Sequence, residues 1–162
     1  CSVAIHNLVF TDEKLTEFDT NYKVMPPLRT KKDAAALIKG VKSGVIDFVT
    51  SDHCPIDIEQ KRVEFDNAAL GALGLESAFG ILNTIFDTET TIRLLTKGRE
   101  RYGLKTPKLA EGEKANLVVF NENIETTIKN EKTISTSKNN LFNGKTAKGK
   151  IFKVFSGEKE IL

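Results

Sequence analysis

The spacing of apolar residues changes along the chain, and the change predicts two kinds of element. In the segment 31–42 they recur at i, i+3, i+4 and i+7, which is typical of an amphipathic helix. These positions are Ala34, Leu37, Ile38 and Val41. Gly44 is expected to end this helix, and residues 45–50 have the mostly apolar pattern of a short buried strand. A helix, a glycine turn and a buried strand, in that order, are typical of one half of a repeated β/α unit.

Further elements are predicted on both sides of this unit. Residues 2–10 are apolar and β-branched, which favours a strand, and residues 75–86 and 91–102 have helical spacing. The charged segment 56–65 is expected to be a surface loop. Short strands between polar turns are predicted at 115–120, 124–128 and 151–155. The chain is therefore assigned to the α/β class, with helices and a parallel-type strand first and antiparallel strands last.

Composition and charge exclude several classes of protein. The chain has 162 residues, of which 40% are hydrophobic and 28% charged, as in an ordinary globular domain. No run reaches the ~20 apolar residues of a membrane-spanning helix. Residues 129–162 hold eight lysines against three acidic residues. We read these as solvated lysines and expect no nucleic-acid partner, since no stacking motif accompanies them. Two cysteines do not form a disulfide framework and are expected to be reduced thiols in the cytoplasm.

The pair Asp52-His53 is the first candidate for chemistry, because it directly follows the strand predicted at 45–50. Side chains at the carboxyl ends of barrel strands converge on the active site, where a carboxylate can bind a metal ion or accept a proton. The alternative is a capping Asp and a packed His. His6 lies within the predicted strand, on the face opposite Asn7, and is expected to be structural. Gly74 closes a short glycine-bracketed loop that either presents backbone amides to a ligand or forms a tight turn.

Several segments in order resemble the C-terminal portion of the dihydroorotases, in the cyclic amidohydrolase superfamily. They are NYKVMPPLR, DFVTSDHCP, FDNAALGALGLESAFG, GEKANLVVF and SKNNLFNGKTAKGKIFKVFSGEKEI. The resemblance implies the C-terminal part of a (β/α)₈ barrel, with strands seven and eight in residues 1–107. It also implies that residues 108–162 belong to a small β-sandwich. A cytoplasmic homo-oligomer acting on a small-molecule substrate is expected.

The same resemblance implies a metal site and a role for several residues. Asp52 is expected to bind one of one or two zinc ions and to move a proton between the hydrolytic water and the leaving amide nitrogen. His53 is expected to support this ligand, and the Gly74 loop backbone to contact the substrate. The remaining metal ligands are expected in a missing N-terminal barrel segment or a partner chain. The 162 residues alone are therefore predicted to be inactive.

Three positions depart from the family pattern near the expected substrate. They are Met25, Ile56 and Leu73, where the family often has Asn, His and Pro. Three functions are therefore compared for the parent protein. The first is the reversible hydrolysis of dihydroorotate to N-carbamoyl-L-aspartate in pyrimidine biosynthesis. The alternatives are a non-catalytic dihydroorotase-like scaffold or subunit, and a cyclic amidohydrolase of different specificity.

Overall fold

The computed structural model describes residues 1–161, which form two small sheets with helices packed between and around them. Strands β1 (Ser2–Ala4) and β2 (Phe48–Thr50) pair in parallel, and Ala4 lies opposite Thr50. The helices of the described residues are α1 (His6–Val9), α2 (Lys31–Lys42), α3 (Ile58–Lys61), α4 (Ala78–Ile85), α5 (Thr88–Thr96) and α6 (Gly98–Arg101). Short 3₁₀ turns lie at Asp12–Leu15, Thr20–Tyr22 and Asn130–Lys132.

Helix α2 confirms the prediction made from its apolar spacing, and its ends explain its bounds. Thr30 and Asp33 form a capping box, in which the Asp33 N–H donates to Thr30 Oγ1 and the Thr30 N–H donates to Asp33 Oδ2. This satisfies two amides that the first turn of a helix leaves without partners. The helix ends before Gly44, whose φ of +78° suits a residue without a Cβ. The segment from the helix to β2 therefore has the predicted order.

The strand predicted over residues 2–10 is wrong beyond Ala4. The Ile5 N–H still bonds to the Thr50 carbonyl at 3.0 Å, but the partner strand ends there. Without a partner strand, the next backbone amides bond locally, and Phe10 N–H donates to the His6 carbonyl at 2.9 Å. The result is the helical turn α1, which places His6 and Asn7 in the interior rather than on opposite faces of a strand.

The expectation of a surface loop over residues 56–65 is also wrong in part. The segment contains α3, and its last residue, Lys61, is 4% exposed. The Lys61 ammonium donates to the carbonyls of Thr20 and Ala69 at 2.8 Å each. These partners lie 41 and 8 residues away in sequence. The local charge pattern alone therefore predicted an exposed position for Lys61, which is in fact buried.

The last third of the chain forms an antiparallel sheet, as predicted. Its strands are β3 (Asn116–Thr127), β4 (Thr146–Ser156) and β5 (Lys159–Glu160), in the order β3-β4-β5. The two strands predicted at 115–120 and 124–128 are one strand with register shifts at 119/120 and 121/125. Polar residues at the second shift suggested a turn, but the pairing with β4 continues on both sides of it.

The C-terminal sheet shares its core with the helices before it. Phe142 is 1% exposed and its ring centroid lies 5.4 Å from that of Phe10. Helix α4 lies on β4, where the Asn83 amide donates to the Lys148 carbonyl at 3.0 Å. One hydrophobic cluster contains residues from both sides of the domain boundary predicted between residues 107 and 108. That boundary therefore stays a prediction. None of the helices within residues 1–161 is long and apolar enough to cross a membrane.

Candidate functional site

Asp52 lies where strand β2 ends, at the carboxyl edge of the parallel pair. Its φ of +48° is unusual for a residue other than glycine, although Asp adopts it more readily than most. The Asp52 side chain is 40% exposed. The carboxylate thus lies at the carboxyl edge of the strand pair and is accessible to a ligand.

His6 begins the segment that leaves the neighbouring strand, and it faces Asp52. The distance from His6 Nδ1 to Asp52 Oδ2 is 3.9 Å. The imidazole is 2% exposed, and this burial lowers the pKa of His6, although the Asp52 carboxylate and the Pro26 carbonyl favour the charged ring. Its Nε2 is buried and has no hydrogen-bond partner among the described residues. Neutral imidazole nitrogens and carboxylate oxygens are both ligands that zinc takes in proteins.

His53 connects the loop after β2 (residues 51–56, the Asp52 loop) to the loop before α4 (residues 70–76, the Gly74 loop). Its Nδ1 accepts hydrogen bonds from the backbone N–H groups of Gly74 and Leu75, both at 3.3 Å. His53 also pairs with Ala72 in an isolated parallel bridge. In the neutral ring these bonds place the proton on Nε2. The structure therefore joins the two loops through His53. Support of the Asp52 ligand by His53 stays a prediction, as does a substrate contact through Gly74, whose N–H is already engaged.

Gly74 packs so tightly that a side chain has no room. An ideal Cβ at this position would lie 2.0 Å from the carbonyl oxygen of Ser51, the residue before Asp52. The absence of a Cβ is what lets the two loops approach each other. In the sequence, only the glycine itself indicates this contact. Its partner, Ser51, lies 23 residues earlier, and nothing in the sequence around Ser51 points to Gly74.

The three departures from the family pattern occupy different environments. Leu73 is 4% exposed, and its backbone N–H donates to the Asn139 carbonyl at 3.0 Å. Met25 is 59% exposed, and Ile56 is half-buried with its N–H bonded to Asn139 Oδ1. Leu73 thus has a packing role that explains an apolar side chain at this position.

Two side chains of the described residues, His6 and Asp52, are candidate metal ligands. Within residues 1–161 no three His, Cys, Asp or Glu side chains are grouped closely enough to hold a metal ion. A catalytic zinc site takes about three protein ligands, so His6 and Asp52 fit part of such a site. Sequence reasoning gave His6 a structural role, because its distance to Asp52 depends on strand pairing across 46 residues.

Curated relatives of the chain are named dihydroorotase. The chain is 44% identical over 147 residues to the dihydroorotase of Caldicellulosiruptor saccharolyticus, an alignment that covers 86% of this chain and 34% of that protein. It is 38% identical to the Bacillus subtilis dihydroorotase over 154 residues, which is 91% of this chain and 36% of that protein. The chain thus spans about a third of the length of the curated relatives it matches. No family model matches it.

Solved structures of related hydrolases share the fold over nearly the whole chain. A D-hydantoinase (dihydropyrimidinase) from Thermus sp. superposes with a TM-score of 0.88 at 25% identity, covering 99% of this chain and 38% of that one. A dihydroorotase from Saccharomyces cerevisiae, solved with 5-fluoroorotic acid, gives a TM-score of 0.74 at 18% identity over 93% of this chain and 42% of that one. The resemblance inferred from the motifs is confirmed: over most of its length this chain is similar in sequence to the C-terminal portion of proteins named dihydroorotase, and its fold matches that of a hydantoinase over nearly all of the chain.

Proposed function

We propose that this chain supplies the C-terminal part of the active site of a metal-dependent dihydroorotase. The reaction is the reversible hydrolysis of dihydroorotate to N-carbamoyl-L-aspartate, a step of pyrimidine biosynthesis. The observation that carries the proposal is the pairing of buried His6 with accessible Asp52, 3.9 Å apart at the carboxyl edge of β1 and β2. The similarity to proteins named dihydroorotase supports the choice of substrate among cyclic amides.

His6 and Asp52 would hold the metal ion, and the remaining ligands would come from outside the described residues. Burial favours the neutral form of His6, which is the form that binds metals, and its Nε2 lacks a protein partner. A zinc ion bound there polarises a carbonyl and lowers the pKa of water. One or two ions are compatible with two donors from this chain. Because most ligands lie elsewhere, the 162 residues alone are expected to be inactive.

The chemical role of the chain itself lies mainly with Asp52. Its carboxylate is accessible, so it can accept a proton from the attacking water and return it to the amide nitrogen that leaves. The left-handed backbone at Asp52 sets the direction in which the side chain leaves the main chain after the strand. His53 keeps the Asp52 loop against the Gly74 loop through two backbone amides. These contacts position the carboxylate without moving a proton themselves.

The proposal is tested on the complete protein that carries this sequence, purified with its metal. Consumption of dihydroorotate and formation of N-carbamoyl-L-aspartate are measured, with hydantoin and allantoin as competing substrates. We expect turnover of dihydroorotate in both directions and little of the other two. Turnover of hydantoin or allantoin alone would replace the proposal by a different specificity. Absence of all three activities in a folded, metal-loaded protein would establish the non-catalytic alternative.

A further inference from the structure

Asn139 occupies a buried position between the two loops of the candidate site. It belongs to the connection between β3 and β4, far in sequence from both loops, and is 3% exposed. Its side-chain amide donates to the Cys54 carbonyl at 2.9 Å and to the Gly71 carbonyl at 3.2 Å. Its Oδ1 accepts from the Ile56 N–H at 3.3 Å. The two carbonyls and the N–H fix the orientation of the amide, since only one assignment of its oxygen and nitrogen satisfies all three.

The backbone of Asn139 adds a fourth connection. Its carbonyl accepts the Leu73 N–H at 3.0 Å, so main chain and side chain both contact the Gly74 loop. The two loops also meet directly, because the Cys54 N–H donates to the Ala72 carbonyl at 2.8 Å. Asn139 therefore completes a network in which the Asp52 loop and the Gly74 loop have a fixed separation.

The segment that carries Asn139 is itself anchored to the start of the α4 region. The Glu76 carboxylate accepts two backbone N–H groups, from Ile134 at 2.8 Å and from Ser135 at 3.0 Å. The Lys138 ammonium donates to the carbonyls of Asn130 and Ser135 at 3.0 and 2.9 Å. Because its own segment is held in place, Asn139 can keep the two loops that it contacts in fixed positions.

We propose that Asn139 is a positioning residue that sets the location of Asp52 and His53 relative to the Gly74 loop. The inference rests on the proposed function, because it assigns the C-terminal sheet segment a role in the same site. Asn139 touches the backbone beside the reacting groups, and it acts through Cys54 and Gly71. Loss of the two donated bonds would let the loops separate, and small displacements of a catalytic group lower the rate strongly.

The test compares Asn139→Asp with Asn140→Asp in the complete protein. At position 139 the new oxygen would face two carbonyl oxygens and lose both donated bonds. The neighbouring Asn140 is equally buried, at 4% exposed, but its Oδ1 accepts from the Phe142 N–H and its Nδ2 has no partner in the described residues. Asn140→Asp thus introduces the same carboxyl group at an adjacent buried position while keeping the one bond made there.

Two readouts are measured, namely steady-state kinetics with dihydroorotate and backbone hydrogen exchange by mass spectrometry. Asn139→Asp is expected to lower kcat about 10- to 100-fold, as removal of a supporting residue typically does. It is also expected to speed exchange of peptides covering residues 51–56 and 70–76. Asn140→Asp is expected to leave both near wild type. Asn139→Ser, which keeps a hydroxyl donor, serves if the Asp variant does not fold, and it should show the same changes to a smaller degree.

The outcomes separate this inference from the proposed function. If exchange in residues 51–56 and 70–76 is unchanged in the Asn139 variants, or if Asn140→Asp has the same effect, the inference is overturned. An exchange effect with kcat within twofold of wild type would overturn the catalytic part of it. If the wild-type protein does not hydrolyse dihydroorotate, the proposed function fails, and the exchange measurement still decides whether Asn139 joins the loops.

Discussion

Nδ1 of His6 lies 3.9 Å from Oδ2 of Asp52, where two parallel strands end side by side. The register of these strands, with Ala4 opposite Thr50, brings the residues that follow them to the same edge of the sheet. The environments of the two side chains differ, since the imidazole is 2% exposed and the carboxylate 40%. A buried neutral base beside an accessible anion suits a site that binds a cation on one side and a substrate on the other.

Replacement of Asp52 by Asn should remove most of the activity of the complete protein. Asn adopts a positive φ about as readily as Asp, so the backbone at +48° is preserved and only the charge and basicity are lost. We expect kcat for dihydroorotate to fall by about 10²- to 10⁴-fold, the usual contribution of a general acid–base group. Asp57→Asn is the matched control, because the Asp57 side chain makes no capping bond to α3. Near-full activity of Asp52→Asn would refute the assigned role.

Replacement of His6 by Gln should lower the metal content of the complete protein. The substitution removes the ring nitrogen that has no partner in the described structure and leaves a side chain of similar length. We expect metal affinity to fall by at least the ~10- to 100-fold seen when a residue that only supports a ligand is removed. Metal per chain is measured by elemental analysis after dialysis. His53→Gln is the comparison variant and should lose less metal than His6→Gln, because it removes only a contact to the Gly74 and Leu75 amides that supports the Asp52 loop. Equal metal content in both variants would contradict the assignment of His6.

Features that depend on nearby residues were predictable from the sequence. Helix α2 was predicted because its apolar spacing and its stop signal lie within one segment, and the capping box at Thr30 is local as well. The position of Asp52 after a strand was predictable for the same reason. The family resemblance predicted a function, because the motifs that carry the resemblance extend over most of the chain.

Contacts between distant segments were not predictable from the sequence. The burial of Lys61 depends on the Thr20 and Ala69 carbonyls, and a charged segment gives no sign of them. The position of His6 depends on where β1 ends. The apolar pattern does not mark that end, because Leu8, Val9 and Phe10 are apolar in the helical turn as they would be in a strand. Asn139 bonds to carbonyls 85 and 68 residues earlier in the chain. For Lys61 and Asn139 the polar group is satisfied by backbone carbonyls that only the tertiary fold brings near.

Addition of one methyl group at Gly74 should disturb both stability and activity. The new Cβ in Gly74→Ala would lie 2.0 Å from the Ser51 carbonyl oxygen, a backbone atom that cannot rotate away. The loops must therefore separate, and we expect a loss of about 1–3 kcal/mol in the free energy of unfolding, typical of overpacking. Because Asp52 follows Ser51, kcat should also fall, by about 100-fold for a displacement near 1 Å.

Gly98→Ala is the control for this change, because a Cβ there would lie 3.4 Å from the Phe48 ring, an ordinary contact. Denaturation curves and kinetics of the two variants are compared in the complete protein. Wild-type stability and activity in Gly74→Ala would show that the two loops are not packed as described.

Lys61 should make the stability of the protein depend on pH in the alkaline range. Burial lowers the pKa of Lys61 to about 8, well below the ordinary value of 10.5. Between these two pH values the unfolded chain binds more protons at this side chain than the folded chain does. The contribution of Lys61 to the free energy of unfolding therefore rises with pH across this window. Below about pH 8 both states carry the charge, and this contribution no longer changes.

The measurement is the difference in unfolding free energy between the wild type and Lys61→Met, followed from pH 7 to 10 by chemical denaturation. Met fills a similar volume but cannot donate to the Thr20 and Ala69 carbonyls, so the variant should be less stable at pH 7, by about 1–3 kcal/mol. The difference should then grow as the pH rises above about 8. Lys32→Met, at an exposed position of α2, should change the stability at pH 7 by less than about 0.5 kcal/mol. A difference for Lys61→Met that stays flat or shrinks above pH 8 would show that the Lys61 ammonium is not destabilised by burial, and that its carbonyl partners fully replace its hydration.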